Sequence, residues 1–265
     1  MFRVASPEKT EACHARPQRG KWRDRLTLAP PGAPPLTLTS DLLSGATIVF
    51  DLDGTLVDTA PDLAATLNHV LVDQGLTPLP LAEARDLIGQ GAKALLRKGF
   101  DVAGAPLSEA RLDLLFEDFL VHYRGRIARE SRPFEGVVAA LDALEARGAR
   151  LAVCTNKRTD LSLALLGELG LATRFAAILG GDGATAQKPD PRHLLETIAR
   201  AGGAADRAIM VGDSINDAEA ARRAGISLVL VSFGYTATPA AQLGADILID
   251  HFDALPEACE RLLRQ

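Results

Sequence analysis

Thr47-Ile48-Val49-Phe50 is an unbroken apolar and β-branched run that leads directly into Asp51, Asp53 and Gly54-Thr55. Such a run, bounded by a turn signal, reads as a strand buried on both faces, as in a parallel sheet. Side chains alternate along a strand, so Asp51 and Asp53 present two carboxylates to one side. Two converging carboxylates repel each other, and the usual remedies are a divalent cation or a shared proton. An Asx-Gly turn explains Asp53-Gly54 but leaves Asp51 unexplained.

From about residue 136 short apolar runs alternate with amphipathic stretches. Strands are expected at 151–154, 176–179, 208–211, 228–231 and 246–249. Helices are expected at 137–147, 161–169, 191–201 and 216–224, with a last one from Leu255. Repeated βαβ units joined by short loops imply an α/β fold, a doubly wound parallel sheet of Rossmann-like type with ligands at the strand carboxyl ends. Residues 62–131 show helical periodicity only: Asp62 to Gln74, Leu81 to Ile88, Lys93 to Lys98 and Ser108 to Arg129. They read as a helical domain inserted into a core made of 46–61 and 132–265.

Residues 1–45 differ in composition. They hold six of the 15 prolines, and through Ser40 seven basic residues face three acidic ones. No apolar stretch of secretory-signal type follows those basic residues. The segment is expected to be a disordered extension, or translation from an upstream start codon. The whole chain is 47% apolar, 24% charged and carries a net charge of −5, which argues for a globular protein and against a nucleic-acid partner. No apolar run approaches the ~20 residues a membrane span needs. Cys13, Cys154 and Cys259 are too scattered for a disulfide framework or a zinc cluster, and cytoplasm is the expected compartment.

Three further polar clusters each follow an expected strand. Thr155-Asn156 offers a hydroxyl and an amide to phosphate oxygens, although such a pair also reads as a turn. In Gln187-Lys188-Pro189-Asp190-Pro191, Pro189 biases Lys188 toward extended backbone just before a helix. Lysine serves phosphate as a point charge, and a plain surface lysine stays open as the alternative. Gly212-Asp213-Ser214-Ile215-Asn216-Asp217 places two more carboxylates after a buried strand, without the Gly-Lys-Ser/Thr of a Walker loop.

These four clusters, in this order, resemble the motifs of the haloacid dehalogenase-like hydrolase superfamily: D-x-D-G-T, a Thr, K-P and G-D-x-x-x-D. The resemblance covers about residues 46–260 and implies a helical cap inserted over the sheet. It further implies Mg²⁺ held by Asp51, Asp213 and the backbone carbonyl of Asp53, with Asp51 as nucleophile forming an aspartyl-phosphate. Asp53 becomes the general acid and base, and Thr155, the amides around Asn156 and Lys188 hold the phosphoryl oxygens. Asp217 orients Lys188 or metal waters, with Gly54 and Ser214 in supporting turns. The dehalogenases of the superfamily lack the second aspartate, so phosphate ester chemistry is implied.

The stretches FDLDGTLVDTAPDLAATLN, IGQGAKALL and FGYTATPAAQLGADILIDHFDAL are similar to the phosphoglycolate phosphatase group. The implied reaction is hydrolysis of 2-phosphoglycolate, a small-molecule phosphate ester, by a monomer or homodimer. Pyrophosphatase, N-acetylmuramate 6-phosphate phosphatase, a β-phosphoglucomutase-like transferase and a catalytically silent scaffold are the alternatives. Gly89-Gln90-Gly91, with Lys93 nearby, opens a helix whose amides suit a small carboxylate; a helix-helix turn accounts for the glycines equally well.

Overall fold

The computed structural model describes residues 41–236 and 238–264. The extension expected over 1–45 falls outside them as far as residue 40. Residues 41–45 correct that expectation: they form a turn packed on the core, with Leu43 fully buried and Asp41 paired to Arg147 at 2.7 Å. The apolar side chain of Leu43 is the physical reason for the earlier boundary.

Six parallel strands form the main sheet: β1 (Thr47–Phe50), β4 (Arg150–Thr155), β5 (Ala177–Gly180), β6 (Ala208–Gly212), β7 (Ser227–Val231) and β8 (Ile247–Ile249). Their order is β5-β4-β1-β6-β7-β8. The chain winds outward from β1 through β4 to β5, then returns to β6 on the other side of β1. Residue alternation divides the core into two layers. Ile48, Phe50, Val153 and Val211 point to the side covered by α5 (Val137–Ala146), α6 (Thr159–Glu168) and α9 (Leu255–Leu262). Val49, Ala152, Cys154 and Met210 point to the side covered by α7 (Pro191–Arg200) and α8 (Ile215–Ala224). Apolar burial on both faces is what the unbroken strand sequences require.

Four helices, α1 (Ala60–Asp73), α2 (Leu81–Arg85), α3 (Ala92–Val102) and α4 (Glu109–Arg124), lie between a two-stranded antiparallel pair, β2 (Val57–Asp58) and β3 (Arg132–Pro133). Two residues per strand are too few to show a period, so this pair has no sequence signature. Two helices are shorter than expected. α2 stops at Arg85 because Gly89 and Gly91 take positive φ. α4 stops at Arg124 because the chain beyond it is drawn onto the fully buried Asp62. That carboxylate accepts from the amides of Glu130 and Ser131 (2.9 and 2.8 Å), the Ser131 hydroxyl (2.7 Å) and Arg126 Nε (3.2 Å). No helix among the described residues is long and apolar enough to cross a membrane.

Burial alone would raise the Asp62 carboxyl, but these hydrogen bonds, led by that of the Ser131 side chain, outweigh it and hold the group below its usual range. Asp62→Ala strands two amides and Arg126, and is expected to cost about 3 kcal/mol, roughly 6–12 °C in Tm for a chain of this size. Because the folded carboxyl is depressed, its contribution is complete above the unfolded pKa of about 4 and is lost as pH falls through the lower folded value. Denaturant melts should therefore show the stability gap between wild type and Asp62→Asn narrowing from pH 7 to pH 3.

Candidate active site

The central strands β1, β4 and β6 end side by side, and each delivers a polar cluster to the same crevice. Asp51 extends β1 by one rung, its amide donating to Val211 O at 2.9 Å. Asp51 Oδ1 accepts from the Leu52 amide at 2.7 Å and lies 2.9 Å from Lys188 Nζ. Lys188, from the loop between β5 and α7, is almost wholly buried and also donates to Asp217 Oδ1 at 2.7 Å. The second oxygen of Asp217 accepts from the Ser214 amide and hydroxyl (3.0 and 2.8 Å) and from the Asp213 amide (3.2 Å). This reciprocal cap opens α8. Both oxygens of Asp217 are thus engaged in holding Lys188 and the turn after β6.

Asp213 is 2% exposed. Its Oδ1 accepts from the Thr55 hydroxyl at 3.1 Å and its Oδ2 from the Tyr235 amide at 2.6 Å. Two glycines make room for it. A Cβ on Gly54, which takes φ +84°, would lie 2.5 Å from Asp213 Oδ2, and one on Gly234 would lie 2.1 Å from Asp213 Cβ. Asn156 donates from Nδ2 to Lys188 O at 2.9 Å, while its buried Oδ1 has no hydrogen-bond partner. The Thr155 hydroxyl accepts the Lys157 amide at 3.2 Å.

Oxygens of Asp51, Asp213 and Asp217 converge within 4.8 Å. Burial raises the Asp51 carboxyl to about 6; Lys188 opposes the rise and the charges of Asp217 and Asp53 add to it. Asp213 is pushed up by burial, Asp217 and Asp51. Lys188 is held well above its ordinary value, burial being outweighed by Asp217 and Asp51. Four carboxylates, Asp51, Asp53, Asp213 and Asp217, face two ammonium groups, Lys157 and Lys188, a formal balance of −2. All the donors are hard oxygens. The site therefore fits one divalent cation among the oxygens of Asp51, Asp213 and Asp217.

A cavity of about 320 Å³ opens above this cluster. Asp51, Asp53, Thr155, Asn156, Lys188 and Ser214 line it from the sheet, and Gly89, Gln90, Gly91 and Lys93 from the inserted helices. Gly54, Asp213 and Asp217 lie behind its wall. The amide of Asn216, in α8, donates to Gly89 O at 3.1 Å and ties the inserted loop to the core. Lys93 turns outward: half exposed, its ammonium pairs with Asp113 at 2.5 Å.

Three residues absent from the motif reading shape the site. Lys157 Nζ lies 3.0 and 3.3 Å from the two oxygens of Asp53 and donates to the Tyr123 hydroxyl at 2.7 Å. Tyr235 donates its hydroxyl to Asp58 and accepts from the Ala60 amide at 3.0 Å, so it joins the Asp213 loop to the start of the insertion. Lys157 stands two residues after Thr155, a position with signal had charge been sought there. Tyr123 and Tyr235 look like ordinary core aromatics in the sequence.

The family model described as haloacid dehalogenase-like hydrolase matches residues 48–231. A phosphoglycolate phosphatase of Caulobacter vibrioides is 53% identical over 221 residues, 83% of this chain and 93% of the relative. One from Agrobacterium fabrum is 49% identical over 216 residues, 81% of this chain and 93% of its own. A solved structure described as a predicted phosphoglycolate phosphatase from Haemophilus somnus superposes with a TM-score of 0.76 at 32% identity, over 82% of this chain and 98% of that one. The match runs from β1 to β7 and takes in the clusters around Asp51, Thr155, Lys188 and Asp213, and the chain belongs to the haloacid dehalogenase-like hydrolases, as a phosphatase of the phosphoglycolate phosphatase group.

Proposed function

We propose that the protein hydrolyses 2-phosphoglycolate to glycolate and phosphate through an aspartyl-phosphate on Asp51, with Mg²⁺ as cofactor. The observation that carries this reading is the buried Asp51 carboxylate, fixed by Lys188 and by the Leu52 amide at the floor of the cavity. The substrate comes from the relatives named phosphoglycolate phosphatase, which cover most of both chains.

Asp51 and Asp213, with the backbone carbonyl of Asp53, are the groups to hold the metal, as the donor set suits it. When bound, magnesium supplies charge that screens an anionic nucleophile from an anionic phosphoryl group. The carboxylate of Asp51 attacks phosphorus and the ester P–O bond breaks. Asp53 gives its proton to the departing alkoxide, then takes one from the water that attacks the aspartyl-phosphate, and the P–O bond to Asp51 breaks. Lys188 Nζ and the Thr155 hydroxyl hold the non-bridging oxygens, with the Asn156 side chain setting the loop that carries Lys188. Asp217 positions Lys188. The inserted helices act as the cap, whose Gly89–Gly91 loop closes the cavity and excludes water.

Phosphate release from 2-phosphoglycolate should exceed that from pyrophosphate, glycerol phosphate and sugar phosphates by at least tenfold in kcat/KM, about 1.4 kcal/mol of transition-state discrimination. A flat profile, or a preference for a sugar phosphate, would overturn the substrate. Asp51→Asn should lower kcat by about 10³-fold or more while leaving the circular dichroism spectrum unchanged. Chelation of divalent cations should abolish turnover in wild type and added Mg²⁺ should restore it.

A further inference from the structure

We propose that Lys157 is the specificity-determining residue that reads the substrate's carboxylate, and that it does so by exchanging Asp53 for that carboxylate. The inference rests on the 2-phosphoglycolate reading and assigns its second anionic group to a named cation.

Four cationic side chains line the cavity: Lys93, Lys157, Arg158 and Lys188. Lys93 and Arg158 are half exposed and held at the surface by Asp113 and Asp160. Lys188 is held by Asp51 and Asp217, neither of which can leave without dismantling the floor. Lys157 differs from all three. Its side chain is 5% exposed, and its one carboxylate partner among the described residues is Asp53, the group assigned to the proton transfers.

Both oxygens of Asp53 face Lys157, and to serve the ester oxygen as an acid Asp53 must carry a proton, which ends its ion pair with the ammonium. A buried ammonium left without a counter-ion costs several kcal/mol. A substrate whose carboxylate stands one methylene away from the ester oxygen brings the replacement with it. Asp53 reaches the ester oxygen at hydrogen-bond distance and Lys157 lies 3.0 Å from Asp53, so the carboxylate arrives in the neighbourhood of the ammonium. Tyr123 completes the seat. It is fully buried, it lines the same cavity, and its hydroxyl accepts from Lys157 at 2.7 Å, which leaves its own proton for donation to the incoming anion. In the exchange one ion pair opens and another closes, and Asp53, freed from the ammonium, takes from solvent the proton that it then gives to the departing ester oxygen. An ester lacking the carboxylate leaves Asp53 on Lys157, so discrimination falls on kcat as well as on KM.

The test compares kcat and KM for 2-phosphoglycolate and for the neutral 2-phosphoglycolamide in wild type, Lys157→Met, Lys157→Arg and Tyr123→Phe. Wild type should favour the acid by about 100-fold in kcat/KM, the scale of one lost hydrogen bond to a charged group. In Lys157→Met the acid should lose about 100-fold in kcat/KM and the amide about tenfold or less, so that the selectivity falls with the ammonium. Lys157→Arg should recover part of the selectivity. Tyr123→Phe removes only an oxygen and should lower the selectivity about tenfold; it carries the test if Lys157→Met does not fold. Equal losses on both substrates in folded Lys157→Met, or unaltered selectivity in Tyr123→Phe, would overturn the role of Lys157 and leave the substrate reading intact. Failure of wild type to prefer the acid would overturn the substrate reading, and this proposal with it.

Discussion

The pairing of buried Lys188 with Asp51 and Asp217 is the interaction on which the rest of the site depends. Parallel strands that end side by side bring Asp51 and Asp213 together whether or not the charges agree, because the register of β1 with β6 pairs Phe50 with Val211, one step before the site. Taking such groups out of water costs several kcal/mol per ion. Attraction to one ammonium offsets part of that cost, and the hydrogen bonds from Leu52, Thr55, Ser214 and Tyr235 offset more. The two apolar layers around the sheet carry the remainder. The carboxyls of Asp51 and Asp213 are raised by their burial first and by the neighbouring negative charges after it. In the proposed mechanism a divalent cation would supply charge at this floor and the phosphoryl group would take up the surplus.

Backbone permissiveness matters as much as charge around Asp213. Gly54 and Gly234 approach it so closely that any Cβ would collide, and Thr55 and Tyr235, their chain neighbours, supply the hydrogen bonds. Tyr235 then reaches Asp58 and Ala60, where the chain leaves the sheet for the inserted helices. Arg85 of α2 pairs with the same Asp58 at 2.9 Å and lies over the Tyr235 ring. The seat of one acidic residue and the root of the insertion are thus one packed unit.

Much of this was readable in the sequence because it depends on local order. Every strand and helix of the sheet region falls within a few residues of its expected place, since apolar runs and glycine stops are local signals. The clusters around Asp51, Thr155, Lys188 and Asp213 converge because each follows a strand, and parallel strands share their carboxyl ends. What escaped depends on distance in the chain. Tyr123 meets Lys157 across 34 residues and Tyr235 meets Asp58 across 177. Neither tyrosine departs from the periodicity of a core aromatic. The shortened α4 belongs to the same class, because Asp62 lies 68 residues from the amide of Glu130 that it binds.

The contacts that close the insertion over the sheet are unequal, and their inequality explains where recognition belongs. The Arg124 to Asp160 pair joins α4 to α6 at the surface, where solvent screens it and such pairs contribute about 0–1 kcal/mol. Asn216 to Gly89 is a single neutral hydrogen bond. Lys157 to Tyr123 is buried, charged on one side and in contact with Asp53, so its strength depends on what else the ammonium holds. A ligand that changes the partner of Lys157 changes a buried, charged contact between the insertion and the sheet. Closure, exclusion of water and the release of Asp53 then follow from one substitution of anions at one ammonium, which is why a site of this kind can reject small esters that differ only in charge.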